Sequence, residues 1–382
     1  MINFLLLIYF ATIFLCLTTY AFYPIIILVA GKLIPFKPQK ADITPRVSIL
    51  IAAYNEEKDI QKKIKNTLAL DYPLDKLEIF IGSDGSTDST ADRVREFTDQ
   101  GVNLLDCKAN RGKTAVQNDL VNMSHSEILI FTDAASFLPA DAIKKIVRNF
   151  ADNRVGCVAG KMRFVGTDSN LTTQSQGLYW RYEVKIREME SRLGSLIGLD
   201  GPLYALRRNY YVQLEHNIIS DLLTPLLVLE QGKKVILEPE AIVNEEPTLK
   251  TKQEFSTRRR IVLRGLVGLF TYKQLLNPLK HPSLAGKIFF HKILRWCVGP
   301  LVILHITACL ALSGHWFFKL SLTLYLIFFI AAVIGWAGDK AGFKIKILTV
   351  PYYFSLVNLS ATMAIVDFVR KKQAVSWTPV RK

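Results

Sequence analysis

The sequence predicts an α/β domain built on a mostly parallel central sheet and held between membrane spans, one at the N-terminus and about three at the C-terminus. Three observations carry that expectation. Half of the 382 residues are apolar and only 21% are charged, with a mean hydropathy of +0.22, too apolar for disorder and high for a soluble protein. Uncharged stretches long enough to cross a bilayer lie at both ends of the chain. Between them, short β-rich apolar runs alternate with helical patterns, the signature of a parallel sheet covered by helices.

The first element, Met1–Gly31, carries no charged side chain and is long enough to span with tilt. A cleaved signal peptide would need a basic start and a short apolar run. Basic residues come only afterwards, at Lys32, Lys37, Lys40 and Arg46. The positive-inside rule therefore puts the domain that follows in the cytosol, at the inner membrane if the source is bacterial.

That domain, residues 32–250, opens with the strand Val47–Ala53 and the helix Glu56–Leu70. The strand Leu77–Gly82, the helix Ala91–Phe97, the strand Val102–Leu105, the helix Thr114–Met123 and the strand Glu127–Thr132 come next. Further on, the pattern gives a strand over Leu203–Arg207 and a helix over Leu222–Gln231. Residues 251–282 contain a basic amphipathic helix, roughly Thr251–Leu276, which mixes Arg258, Arg259, Arg260 and Arg264 with apolar residues; such a helix suits the cytosolic membrane surface. Residues 283–382 carry three more uncharged stretches, Trp296–Phe318, Leu320–Gly338 and Ile347–Val366, and a basic tail with Arg370, Lys371, Lys372, Arg381 and Lys382. Four crossings would leave that tail outside, against the charge rule, so one segment is expected to re-enter or lie flat.

The net charge of +15 favours anionic partners such as lipid headgroups or nucleotide phosphates. No nucleic-acid motif accompanies it, which sets nucleic acid aside. The five cysteines are scattered without CxxC or a Cys/His cluster, so neither a disulfide framework nor a structural zinc site is expected.

Chemistry concentrates at the carboxyl ends of the strands, where ligands bind in open parallel sheets. The first strand ends in Tyr54-Asn55-Glu56-Glu57, the second in Asp84-Gly85-Ser86-Thr87-Asp88 and the fourth in Asp133-Ala134-Ala135, with Asn110-Arg111-Gly112-Lys113 between the last two. Carboxylates beside Gly and Lys suit a diphosphate held with Mg²⁺ or Mn²⁺, which prefer oxygen ligands. Neither GxxxxGK[ST] nor GxGxxG occurs, which argues against a P-loop or dinucleotide site. Each motif alone also reads as a turn: DGSTD bends the chain, Ser86 or Thr87 can cap the next helix, and Asp221 can cap the helix after it.

In the order VSILIAAYNEE, DGSTD, NRGKTAVQND, TDAAS, GLDGPLYALRR, Ser220-Asp221 and a late arginine cluster, the chain resembles membrane-embedded family 2 glycosyltransferases of GT-A fold, the group of cellulose, hyaluronan, chitin-oligosaccharide and poly-N-acetylglucosamine synthases. HKILRW (His291–Trp296) and SWTPVR (Ser376–Arg381) extend the resemblance to nearly the whole chain. It implies a hexosyltransferase-type enzyme using a UDP-sugar, and a glycan or lipid-linked acceptor. It also implies roles. Ala53, Tyr54 and Glu56 would line the uridine pocket, Asp84 would bind the base or ribose side, and Gly112 and Lys113 would approach the nucleotide. Asp133 would hold Mg²⁺ or Mn²⁺ and the diphosphate, Arg260 would pair with the diphosphate, and Gly198, Asp200 and Gly201 would form the acceptor-side turn. Asp221 would be the general base of an inverting transfer.

Two departures stand out. Ala135 replaces the second carboxylate of the usual Asp-x-Asp motif, and Thr257-Arg258-Arg259-Arg260-Ile261 lacks the Gln and Trp of the processive Gln-x-x-Arg-Trp motif. The second weakens an expectation of long-chain synthesis and leaves room for a membrane partner subunit. The first supports a rival, non-catalytic expectation: a nucleotide-sugar-binding scaffold or regulatory subunit for another membrane enzyme.

Overall fold

A computed structural model describes residues 1–165, 171–245, 251–341 and 345–372. The expected SWTPVR ending, the last two basic residues of the tail and Lys344 lie outside them.

Among the described residues the domain is built on one eight-stranded sheet. Its strands are β1 (Val47–Ala53), β2 (Leu77–Asp84), β3 (Val102–Cys107), β4 (Ile128–Asp133), β5 (Ser136–Phe137), β6 (Val155–Phe164), β7 (Leu203–Arg207) and β8 (Lys234–Glu245), in the order β3-β2-β1-β4-β7-β6-β8-β5. The β3-β2-β1-β4 half is parallel throughout. β7 then runs antiparallel to both β4 and β6, so the second half is mixed. β1 is buried along its whole length, as a central strand covered on both faces must be. Its pleat sends Ile49 and Ile51 into one core layer and Leu50 and Ala52 into the other.

Register fixes what faces what at the ligand end. Ala52 pairs with Asp133 on one side and Ala53 with Ser83 on the other, so the ends of β1, β2 and β4 emerge side by side. Three strands escaped the sequence reading, for local reasons. β6 contains Gly156 and Gly160, and its pairing with β8 slips between Ala159 and Lys161; glycine weakens a strand signal. β8 carries Pro239, which normally demotes a run to an edge or a bulge. β5 is two residues long.

The first long helix starts later than its periodicity suggests, at Ile60 rather than Glu56, because residues 54–59 form a loop tied to the DGSTD turn. The helix after DGSTD, Thr90–Arg95, has Ser89 at its N-cap with no side-chain cap bond, so neither Ser86 nor Thr87 caps it.

Among the described residues three helices are long and apolar enough to cross a membrane: Ile2–Leu33, Trp316–Lys340 and Ile347–Val369. The expected span beginning at Trp296 is instead a pair, Pro282–Trp296 and Val298–Ala311, bent by 60°. The helix Thr251–Thr271 does not present all its arginines to a membrane surface. Arg258 bonds Glu254 and Tyr353, Arg259 bonds Asp367, and Arg264 is buried against the domain. Val262, Leu263 and Leu266 pack on Ala361 and Ala364 of the Ile347–Val369 helix, so this basic helix clamps the domain to the last apolar helix.

The HKILRW motif makes a second clamp. His291 lies between Glu190, whose carboxylate is 2.7 Å from its Nδ1, and Glu183, 3.2 Å from its Nε2. Arg295 donates to Glu183 at 2.5 Å, and the Tyr23 hydroxyl donates to Glu190 at 2.5 Å. Both glutamates belong to the helix Leu171–Arg192, which joins the first span, the bent pair and the sheet.

Candidate active site

The ends of β1 and β2 are laced together. Asn55, at φ +54°, accepts from the Thr87 amide at 2.8 Å through its side-chain oxygen and donates its own amide to Ser86 Oγ at 3.2 Å. The Glu56 amide donates to Thr90 Oγ1 at 2.8 Å and the Glu57 amide to Asp88 at 3.2 Å. Asn is one of the few non-glycine residues that tolerate a left-handed φ. Gly85, at φ +66°, is needed twice over: a Cβ there would lie 2.4 Å from the Ala109 carbonyl carbon. The turn reading of DGSTD is therefore correct, and the turn locks the YNEE loop and the 109–112 loop around the strand ends. Ala53, fully buried, ends β1; Tyr54 and Glu56 are half-buried on the loop that follows.

Asp84 does not open into a cleft. It is fully buried, and its two oxygens accept the Arg111 amide at 2.7 Å and the Gly112 amide at 2.8 Å. Like Ala53, it is a residue expected to meet the nucleotide that the structure buries. A carboxylate at a strand end can satisfy the open amides of a following loop, and here that loop leads into the helix Lys113–Met123. Asp84 thereby fixes the point from which Lys113 projects.

Lys113 forms the centre of the site. Its ammonium donates to Asp133 Oδ1 at 2.6 Å. Burial alone would lower its pKa; the carboxylates of Asp133, Asp221 and Glu245 outweigh burial and raise it above the ordinary lysine value. A Cβ on Gly201 would lie 2.7 Å from Asp221 Oδ2 and 3.3 Å from the Lys113 ammonium, so glycine lets the 198–201 turn pass close beside the two charged groups. Asp133, Lys113, Gly201 and Asp221 thus lie together.

Asp221 lies in the first turn of the helix Ser220–Glu230, whose N-cap is Ile219 and has no side-chain cap bond. The capping role is therefore not the one Asp221 plays. Its Oδ1 is buried without a hydrogen-bond partner among the described residues. Burial raises its pKa above the ordinary carboxylate value, Lys113 and Arg264 pull it back, and Asp133 and Asp200 add to the rise. The helix N-terminus favours its ionised form. An ionised carboxylate oxygen with nothing bonded to it is set to accept a proton.

Asp200 pairs with Arg187, whose guanidinium also donates to the Gly198 carbonyl at 2.9 Å. Arg260 is half-buried; burial lowers its pKa, and it has no ion-pair or hydrogen-bond partner among the described residues. One turn further along the same helix, Arg264 donates to the carbonyls of His216, Asn217 and Ile218 and to Thr114 Oγ1. Arg264 is a structural pin, and Arg260 is left with an uncommitted charge.

Two groups escaped sequence reasoning. Glu245, on a strand the sequence did not reveal, pairs in the β5–β8 ladder with Ser136, three residues after Asp133 in the chain. Lys63 is fully buried on the helix Ile60–Leu68 and donates to Thr132 Oγ1 at 2.9 Å and the Ser136 carbonyl at 2.6 Å, spanning the Asp133 turn from beneath. A lysine in a basic helix pattern gives no sign that it points inward. Among the described residues no group of three or more His, Cys, Asp or Glu side chains could hold a metal by itself.

Residues 48–214 match the Glycosyl transferase family 2 profile. The chain is 30% identical over 168 residues to a beta-monoglucosyldiacylglycerol synthase of Nostoc sp., covering 43% of this chain and 36% of that one. It is 32% identical over 127 residues to a poly-beta-1,6-N-acetyl-D-glucosamine synthase of Staphylococcus epidermidis, covering 33% and 30%. The matches thus span about a third of the length of these curated relatives. Among solved structures, the mannosyltransferase PcManGT from Pyrobaculum calidifontis, in complex with GDP-Man and Mn²⁺, superposes with a TM-score of 0.71 at 20% identity, covering 96% of this chain and 99% of that one. That likeness establishes the GT-A fold.

Proposed function

Residues 48–214 form a glycosyl transferase family 2 domain, and from that premise we propose that the chain moves a sugar, with inversion, from a nucleotide-diphosphate donor to a growing glycan or lipid-linked acceptor at the cytosolic face of a membrane. The donor is a uridine diphosphate sugar by the resemblance at Tyr54 and Glu56. Relatives named for a glycolipid product and for a polymer product support both acceptor classes.

One observation carries the reading: the unpartnered Asp221 Oδ1 beside the Lys113–Asp133 pair. Asp221 takes the proton of the acceptor hydroxyl as it attacks the anomeric carbon, a role worth about 10²–10⁴-fold in rate. Lys113 and Arg260 meet the diphosphate as it leaves, and fixed cations aimed at developing negative charge are a large source of rate enhancement. Asp84 acts from behind by holding the loop that aims Lys113. The turn at Gly198, Asp200 and Gly201 admits the acceptor, small residues allowing close approach to the backbone.

The donor set also fits a divalent cation shared with the diphosphate. Asp133 offers a carboxylate, and Glu245, at the end of the strand paired to Ser136, would be the candidate to supply the one absent at Ala135. Mg²⁺ or Mn²⁺ held there would neutralise charge on the leaving diphosphate.

A donor screen on isolated membranes tests the reading. The expected result is release of nucleotide diphosphate with one sugar nucleotide, and weakened donor use in Lys113→Met. Donor binding without turnover, with glycan and lipid acceptors both supplied, would favour the scaffold reading instead.

A further inference from the structure

The Ser220–Glu230 helix carries a proline in its interior, Pro225. Proline has no N–H, and its ring crowds the carbonyl four residues earlier. That carbonyl belongs to Asp221. It accepts instead from the amide of Leu199, at 2.9 Å, on the acceptor-side turn. The residue that carries the unpartnered carboxylate therefore also holds the turn through its backbone.

The rest of the turn is anchored elsewhere. The Leu196 amide donates to the Val235 carbonyl on β8 at 3.1 Å. The Gly198 carbonyl and Asp200 are held by Arg187 of the Leu171–Arg192 helix. Among these ties, Leu199 to Asp221 is the one that reaches the helix bearing the carboxylate, two residues before Gly201 brings the backbone against Asp221 Oδ2. The same device recurs in the first span. Pro24 leaves the Tyr20 carbonyl without its helical donor, and the Tyr182 hydroxyl takes that carbonyl at 3.0 Å. In both places a proline turns a helix carbonyl into a docking point for another element.

We propose that Pro225 is a positioning residue for transfer: by freeing the Asp221 carbonyl to hold Leu199, it sets the spacing between the carboxylate and the acceptor side of the cleft. The proposal rests on the catalytic reading of Asp221. In Pro225→Ala the residue-225 amide closes the helical bond to Asp221, and the Leu199 amide loses its sole claim to that carbonyl. Alanine is the better helix former, so a merely structural proline would give a variant that melts at the same or a higher temperature and works normally.

The test combines three readouts on the full chain in membranes or detergent: melting temperature, kcat against donor KM, and hydrogen exchange over residues 195–203. Pro225→Ala is expected to melt no lower than wild type, to keep donor KM within about twofold and to lose about ten- to a hundredfold in kcat, the scale of a small misplacement near the reacting atoms. Exchange at Leu199 should quicken. Leu199→Pro, which removes the same bond from the other side, should lose a similar factor, and the double variant should lose no more than either single. Wild-type kcat, or unchanged Leu199 exchange, in Pro225→Ala overturns the proposal. A wild-type protein with no transferase activity overturns the catalytic reading instead, and the exchange comparison still decides whether Pro225 governs the tie.

Discussion

Asp221 is costly to the fold and useful to the site for one reason: it is a carboxylate buried beside another carboxylate. Because burial raises its folded pKa, the folded state holds the proton more tightly than the unfolded chain. Its contribution to stability therefore falls as pH rises from the unfolded value through the raised one. Asp221→Asn should accordingly melt at the same or a higher temperature than wild type near pH 7, the usual trade between stability and activity. Lys63 shows the opposite sign. Burial lowers it from 10.5 to about 7, with Asp133 pulling upward. Between those values the unfolded chain binds more protons, so stability gains as pH rises from about 7 towards 10.5. Melting curves at pH 7 and pH 9 should show wild type gaining relative to Lys63→Met; parallel curves would contradict a buried ammonium at this position. The acidic and basic residues exposed by the strand pattern, Asp133, Lys113 and Asp221, were legible in the sequence because each ends or begins an element. The direction a side chain takes was not. Asp84 turns inward to the 111–112 amides, and Lys63 turns under the sheet, since tertiary packing rather than local pattern decides both.

At the scale of elements, the helix Thr251–Thr271 joins the site to the last apolar helix. Its arginines were legible as a basic stripe, but a stripe does not reveal which partners it meets. Three of the four bond to protein groups, and Arg264 alone satisfies three carbonyls of the segment leading into Ser220. Arg264→Met should cost about 2–3 kcal/mol, the range for buried hydrogen bonds to a charged group. It should also reduce transfer, because the start of the Ser220–Glu230 helix loses its pin; a melting temperature equal to wild type would refute this placement. The Thr114 hydroxyl also donates to Ile218, so the element that carries Lys113 and the element that carries Asp221 are fastened to the same short segment.

For the whole molecule, the parallel half of the sheet was readable from alternating strands and helices. Of the mixed half only β7 was, since β6 and β8 contain glycine or proline and pair across long sequence separations. Apolar length reveals the spans, while the 60° break in the second apolar segment does not register in composition. That break bears on the conflict over charge. With the start outside, the three long helices crossing and the bent pair re-entering, Arg370, Lys371 and Lys372 return to the face of the catalytic domain, as the positive-inside rule requires. A thiol label on Lys372→Cys should react from the same side of a sealed vesicle as one on Asp75→Cys; reaction from opposite sides would mean that the bent pair crosses. Cleft and membrane thus belong to one construction, with the carboxylate helix, the arginine helix and the last apolar helix packed in series.

The most direct test of the central claim is a paired measurement on Asp221→Asn: donor binding by titration, and single-turnover sugar transfer with saturating donor. The expected result is donor affinity close to wild type, with transfer reduced by about 10²–10⁴-fold. Transfer at the wild-type rate by the folded variant would contradict the assignment of Asp221 as the base.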